Sequence, residues 1–392
     1  MEEVVIVAGV RTAIGDFGGS LKEFSPTELG AKVIAEAVKR AGLQPADVGH
    51  VVMGNVIQTE AKDMYLARVA AMGAGIPVET PALTVNRLCG SGLQAVVSAA
   101  QSLALGDCSV AVAGGAESMS RSGYLMPAAR WGMKMGDTPV VDMMLGALND
   151  PFGNGHMGIT AENVAAMFGI SRETQDAFSA ESHRRAATAI AEGRFTDQIL
   201  PIEVKVKKEV VPFVTDEHVR GDVSADKLAG LRPAFKKDGT VTAGNASGLN
   251  DGAAALVLMS ASEAARRGVK PMVRVTGYAH AGVDPSVMGL GPVPAVKALL
   301  CKTGLKVSDL DVIESNEAFA AQACGVSQEL GLPSAKVNPN GGAVALGHPV
   351  GASEAIILVK LIYELKRTGG RHGLATLCIG GGQGIAMAVE AL

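Results

Sequence analysis

Apolar positions along the chain fall in two alternating patterns. Short β-branched runs give way to stretches whose apolar residues lie three or four apart, and the alternation continues from end to end. Residues 4–8 predict a strand. Ser25-Pro26-Thr27-Glu28 has the form of a capping box with proline at the first helical position. Leu29, Val33, Ala37 and Ala41 follow at helical spacing, and Gly42 ends the helix. Strands over 51–53 and 83–86, a helix from about Cys89 and a strand over 109–113 complete a βαβ series. Such alternation implies a layered α/β fold.

The C-terminal third repeats the scheme. Gly42-Leu43 precedes Asp47-Val48 and a strand, and Gly304-Leu305 precedes Asp309-Leu310 and a strand at the same internal spacing. Val85-Asn86 and Val337-Asn338 each lead into a glycine-rich motif. Two similar α/β halves are therefore expected. The middle breaks the pattern, with the lone Trp131, several methionines and a helix capped at Ser171 that runs to about Gly193. The expected division is residues 1–119 plus 247–270 as one half, 120–246 as an inserted loop domain, and 271–392 as the other half. An insertion of this kind is a natural substrate lid.

Composition narrows the function. Net charge is −4, and no basic stripe marks a nucleic-acid surface. No apolar run is read as reaching the ~18 residues of a membrane span. The opening Met1-Glu2-Glu3 is acidic, unlike a signal or transit peptide, so a cytoplasmic chain is expected. Glycine contributes 49 residues, well above the usual ~7%, and clusters where backbone must pack closely. The five cysteines are odd in number and widely spaced, with no Cys-x-x-Cys, which argues against disulfides and structural zinc. Cys108, Cys301 and Cys324 read as buried small hydrophobes.

Two thiols stand apart. Cys89 lies in Asn86-Arg87-Leu88-Cys89-Gly90-Ser91-Gly92, between a strand and an alanine-rich helix. A thiol at a helix N-terminus faces free N–H groups and the positive end of the dipole, which favours the thiolate. Its bland reading, a cysteine at a tight turn, is about as well supported by this motif alone. Cys378 follows a strand over 374–377 and opens Cys378-Ile379-Gly380-Gly381-Gly382-Gln383-Gly384. The glycine spacing is not that of a dinucleotide loop, and a strand rather than a helix follows. His348, in the rigid loop Gly347-His348-Pro349, has the chemistry to activate a thiol or polarise a carbonyl. Asn316-Glu317-Ala318-Phe319 follows a strand over 312–314, where an amide can hold a water or donate to an oxyanion.

As an ordered set these motifs closely resemble the thiolase family, over essentially the whole chain. Gly114-Gly115-Ala116-Glu117-Ser118-Met119-Ser120, His156-Met157-Gly158 and Thr242-Ala243-Gly244-Asn245-Ala246-Ser247 add to the match. The chain is most similar to bacterial short-chain β-ketothiolases such as those feeding polyhydroxyalkanoate synthesis. The resemblance implies a five-layered α/β/α/β/α fold with a loop domain, a homotetramer and no permanently bound cofactor. It also implies acetyl-CoA, 3-ketoacyl-CoA and free coenzyme A as substrates. Cys89 would carry the acyl group, His348 would activate it, and Cys378 would move the α-proton. His348 with a water on Asn316 would form one oxyanion hole, and the N–H groups of Cys89 and Gly380 the other. His156, Arg220, Ala243, Ser247 and Leu249 would hold coenzyme A, with Leu148, Met157, Met288 and Phe319 around the acyl group. The alternatives are a degradative 3-ketoacyl-CoA thiolase of broader chain length and a ketoacyl-synthase-type condensing enzyme. The latter would lack the second cysteine. Three departures from the family pattern stand out: Arg220-Gly221 in place of Arg-His, Lys227 in place of serine, and Glu354 in place of glycine.

Overall fold

The computed structural model describes residues 2–392. The main elements of the first half are β1 (Val4–Thr12), α1 (Pro26–Arg40), β2 (His50–Gly54), α2 (Leu66–Gly73), β3 (Ala82–Val85), α3 (Ser91–Leu105) and β4 (Val110–Ser118). An excursion holding α4 (Met157–Phe168) and α5 (Arg172–Ala191) follows before β5 (Asn250–Ser260). The second half has β6 (Val273–Gly282), α6 (Pro292–Thr303), β7 (Val312–Ser315), α7 (Ala320–Leu330), α8 (Ser353–Thr368), β8 (His372–Ile379) and β9 (Gln383–Ala391).

Local chemistry accounts for the boundaries. Ser25 and Glu28 form the reciprocal capping box at the start of α1, with Pro26 as its first residue. α3, α4, α6, α7 and α8 each end on a left-handed glycine, the conformation that side chains disfavour.

The halves are copies. Val51 pairs with Val112 in the parallel β2–β4 ladder, and Ile313 pairs with Leu374 in the parallel β7–β8 ladder, each residue 262 positions further on. α3 and α8 begin at Ser91 and Ser353, the same displacement. A register shift interrupts β1 between Ile6 and Ala8 and β6 between Val275 and Gly277. In the second half β8 turns into β9 across residues 380–382, whereas in the first half residues 119–249 occupy that turn.

The strands run in the order β7-β8-β9-β6-β1-β5-β4-β2-β3, the halves joined where Val5 and Ile6 of β1 meet Arg274 and Val273 of β6. α8 touches strands of both halves and α3. Along β5, Ala254, Leu256 and Leu258 face this inner core, while Ala253, Ala255, Val257 and Met259 face α1 and α2. Successive strand side chains point to opposite faces, so a strand buried on both sides must be apolar throughout. α6 covers the outer face of the second half. The result is helix, sheet, helix, sheet, helix, the layered α/β class expected. One correction concerns apolar length: residues 88–105 form an 18-residue stretch long and apolar enough to cross a membrane. It is largely α3, and its apolarity is explained by its place in the core.

Candidate active site

The chemistry collects where the parallel strands end. Cys89 occupies the turn between β3 and α3. Leu88 just before it is left-handed, with φ of 46°, a conformation that costs a branched side chain energy and recurs at functional turns. Ser91 folds that turn, its Oγ donating to the Leu88 carbonyl at 2.6 Å and accepting from the Arg87 N–H at 2.9 Å. A Cβ on Gly90 would meet the tip of the Ile379 side chain from β8, which would have to shift. The N–H groups of Gly380 and of Cys89 itself favour charge on the sulfur. Burial nevertheless pushes the thiol up to about 11. The expectation of a helix-lowered thiol therefore needs correction. The helix begins two residues after Cys89, and removal from water outweighs the nearby N–H groups. At rest Cys89 is a thiol.

His348 is held at its backbone and at one ring nitrogen. Its backbone N–H donates to Asn250 Oδ1 at 2.8 Å, and the Asn250 amide is anchored on the Gly15 carbonyl at 3.1 Å. Its Nδ1 lies 2.6 Å from Ser353 Oγ, and that hydroxyl lies 2.8 Å from the Pro349 carbonyl. A hydroxyl has one proton and a carbonyl can only accept, so Ser353 donates to Pro349 and accepts from Nδ1–H. The other ring nitrogen, Nε2, is left bare. Burial pushes the imidazole down to about 4, so it is neutral at neutral pH and able to take a proton.

Cys378 ends β8 with 2% of its surface exposed. Burial holds its thiol far above the ordinary range, and the charge of an ionised Cys89 would push it further. Asn316 follows β7; its backbone N–H donates to the Thr376 carbonyl at 3.0 Å, and its buried side-chain Nδ2 has no protein partner. Buried polar groups are normally paired, so this donor is available to something else.

Glu117, at the end of β4, holds the walls together. Its Oε2 accepts from the N–H groups of Val56 and Gly351 at 3.0 and 2.9 Å, and its Oε1 from Ile57 N–H and Asn55 Nδ2 at 3.1 Å each. Burial pushes this carboxyl up to about 8, while the donors oppose that rise. Four donors on two oxygens leave little use for a proton, so geometry favours the anion.

One cavity of about 50 Å³ brings Cys89, His348, Cys378 and Gly380 together with Leu148, Met157, Ser247, Met288 and Phe319. It adjoins a cleft of about 690 Å³ that shares Val56, Leu88, Ala147, Met157 and Gly380 and reaches Phe152 and Gly381. Asn316 lies outside the lining. His156 is half-buried, stacked 4.5 Å from the Phe235 ring and capping α4 through its Nδ1. Leu249 packs on the Ile57, Met119 and Val350 cluster. Arg220 and Ala243 are exposed and do not line the cavity. Lys227 is engaged by Asp222 at 2.7 Å. Ser353, Asn250 and Glu117 carried no local signal of their part, since their partners are set by the fold.

Two thiols and a neutral imidazole converge in one apolar cavity on a doubled α/β scaffold. Residues 4–262 match the family described as thiolase, N-terminal domain, and residues 269–391 match thiolase, C-terminal domain. The chain belongs to the thiolase family. It is 64% identical over 389 residues to the beta-ketothiolase BktB of Cupriavidus necator, with 99% of each chain covered. It is 54% identical over 390 residues to an acetyl-CoA acetyltransferase of Chromobacterium violaceum, again covering 99% of each. Among solved structures, the Bacillus anthracis acetyl-CoA acetyltransferase superimposes with a TM-score of 0.97 at 49% identity, covering 100% of this chain and 99% of that one. The human mitochondrial 3-ketoacyl-CoA thiolase in complex with CoA also gives 0.97, at 43% identity, covering 100% and 98%.

Proposed function

We propose that the chain is an acetyl-CoA C-acyltransferase, a β-ketothiolase that condenses two acetyl-CoA molecules, or an acyl-CoA with acetyl-CoA, and runs in reverse as a thiolase. The observation that carries this reading is the meeting of Cys89, Cys378 and a neutral His348 in one cavity. His348 Nε2 takes the Cys89 proton, and the sulfur attacks the thioester carbonyl. Coenzyme A leaves as its thiol, and Cys89 retains the acyl group as a new thioester. The N–H groups of Cys89 and Gly380 support the oxyanion of that step.

Acetyl-CoA then binds, the Cys378 thiol passes its proton to His348 Nε2, and the resulting thiolate removes the α-proton. His348 Nε2–H and a water held by Asn316 Nδ2 stabilise the enolate oxygen. The carbanion attacks the acyl-enzyme, forming the carbon–carbon bond and releasing Cys89, which takes the proton back from Nε2. In the cleavage direction Cys378 returns the proton, and free coenzyme A takes the acyl group from Cys89. His156, Arg220, Ala243, Ser247 and Leu249 hold coenzyme A in this reading, in a cytoplasmic homotetramer with no permanently bound cofactor.

The cleft that continues the cavity past Phe152 and Gly381 supports acyl groups longer than acetyl. C5 and C6 3-ketoacyl-CoA should be cleaved alongside acetoacetyl-CoA. Steady-state thiolysis rates across chain lengths test this, and activity confined to acetoacetyl-CoA would remove it.

A further inference from the structure

None of the proposed roles uses Glu354. It is the second residue of α8, wholly buried against the first turn of α3. Its Oε2 accepts from the Leu93 N–H at 3.3 Å, and its Oε1 has no partner. The first-turn N–H groups of a helix need acceptors, and the N-cap of α3 is Gly90, which has no side chain to offer. The helix that follows Cys89 is thus capped from its neighbour. The internal duplication sharpens the point. Gly92 stands at the equivalent position of α3, where a Cβ would come within 2.7 Å of the Ala355 nitrogen. At this helix crossing one copy presents glycine and the other a carboxyl.

The charges around it are few. Arg87, in the turn ahead of α3, is the one charged side chain that favours its anion. Cys89 from that turn and Cys378 from the end of β8 both feel its charge, and Glu117 on β4 acts on Cys89 in the same sense. One long hydrogen bond and one guanidinium do not replace the hydration of a carboxylate, and burial holds Glu354 well above the usual carboxylate range.

We propose that Glu354 is a positioning residue: its buried carboxyl caps the nucleophile helix through the Leu93 N–H, and its ionised form opposes thiolate formation at Cys89 and Cys378. Ionised Glu354 therefore raises the pH at which these thiols lose their protons. This rests on the reading of Cys89 as nucleophile, but its test reads the thiol directly.

The full-length enzyme and its Glu354→Gln and Glu354→Gly variants are alkylated with iodoacetamide across alkaline pH, with Cys89 modification followed by peptide mass spectrometry. Gln keeps the acceptor for Leu93 without the charge, and glycine is what the fold already carries at the equivalent position. Both variants should lower the midpoint for Cys89 by about one pH unit, so that below the wild-type midpoint they alkylate about tenfold faster. The fall of kcat/KM at high pH should move outward in both. Only the glycine variant, which loses the cap, should melt below wild type. Superimposable alkylation profiles in all three proteins would overturn the charge role, and a glycine variant as stable as wild type would overturn the cap. If wild-type Cys89 is alkylated normally yet never acylated by acetyl-CoA, the proposed function fails and this inference stands.

Discussion

Ser353 Oγ lies 2.6 Å from His348 Nδ1 and 2.8 Å from the Pro349 carbonyl, so a single hydroxyl fixes which imidazole nitrogen carries the proton. Replacing Ser353 by Ala frees the ring to rotate or to change tautomer, while the His348 backbone stays on Asn250. A misplaced base costs up to about a hundredfold in rate. Ser353→Ala should lower kcat by about ten- to a hundredfold, with KM for acetyl-CoA little changed. Steady-state kinetics beside a thermal melt decide it, since a variant that melts normally and retains full kcat removes Ser353 from the account.

Glu117 joins the loop at Asn55–Ile57 to the loop at Gly351, and Val56 and Val350 from those loops line the cavity. Gln in its place turns one acceptor oxygen into a donor facing N–H groups. Two unsatisfied buried donors cost about 2–6 kcal/mol. Glu117→Gln should be destabilised by that order in urea unfolding, and any activity left should show a raised KM for acyl-CoA. Unfolding indistinguishable from wild type would mean that these hydrogen bonds are dispensable.

Tyr124, Trp131 and Met135 are 68%, 79% and 104% exposed in the isolated chain, within an excursion that gives them no core of their own. Apolar surface of this kind is what a subunit interface of the proposed assembly would bury. The proposed homotetramer should fall apart into smaller species when Trp131 and Met135 are both replaced by Glu, as read by light scattering. A wild-type protein that is monomeric at micromolar concentration would contradict it.

Much of the architecture is legible in the sequence because it is local. The capping box at Ser25 and Glu28 and the apolar strand 250–260 follow from short-range sterics and burial. The doubled halves are visible where Gly42-Leu43 and Asp47-Val48 are echoed by Gly304-Leu305 and Asp309-Leu310, the same 262 residues apart as the paired strands. The thiols and Asn316 stand out because each interrupts a pattern at a strand end, and His348 because it sits in the Gly347-His348-Pro349 loop ahead of a helix. What sequence could not carry is long-range. Glu117 meets the Gly351 N–H across 234 positions, and Asn250 meets the His348 N–H across 98. The acidity of Cys89 reverses for the same reason: its motif shows a helix start, while the burial that raises the thiol comes from distant elements such as Ile379 of β8.

The two thiols should have separable jobs, Cys89 forming the covalent bond and Cys378 only moving protons. Acetyl transfer from acetyl-CoA to Cys89 removes no α-proton, so it should survive in Cys378→Ser. Carbon–carbon bond formation in that variant should fall by about 10²–10⁴. Each variant is incubated with radiolabelled acetyl-CoA, quenched in acid and mapped by peptide. Label on Cys89 in Cys378→Ser with condensation nearly gone, and no label or turnover in Cys89→Ala, is the predicted result. Label on Cys378 in an active Cys89→Ala would contradict it.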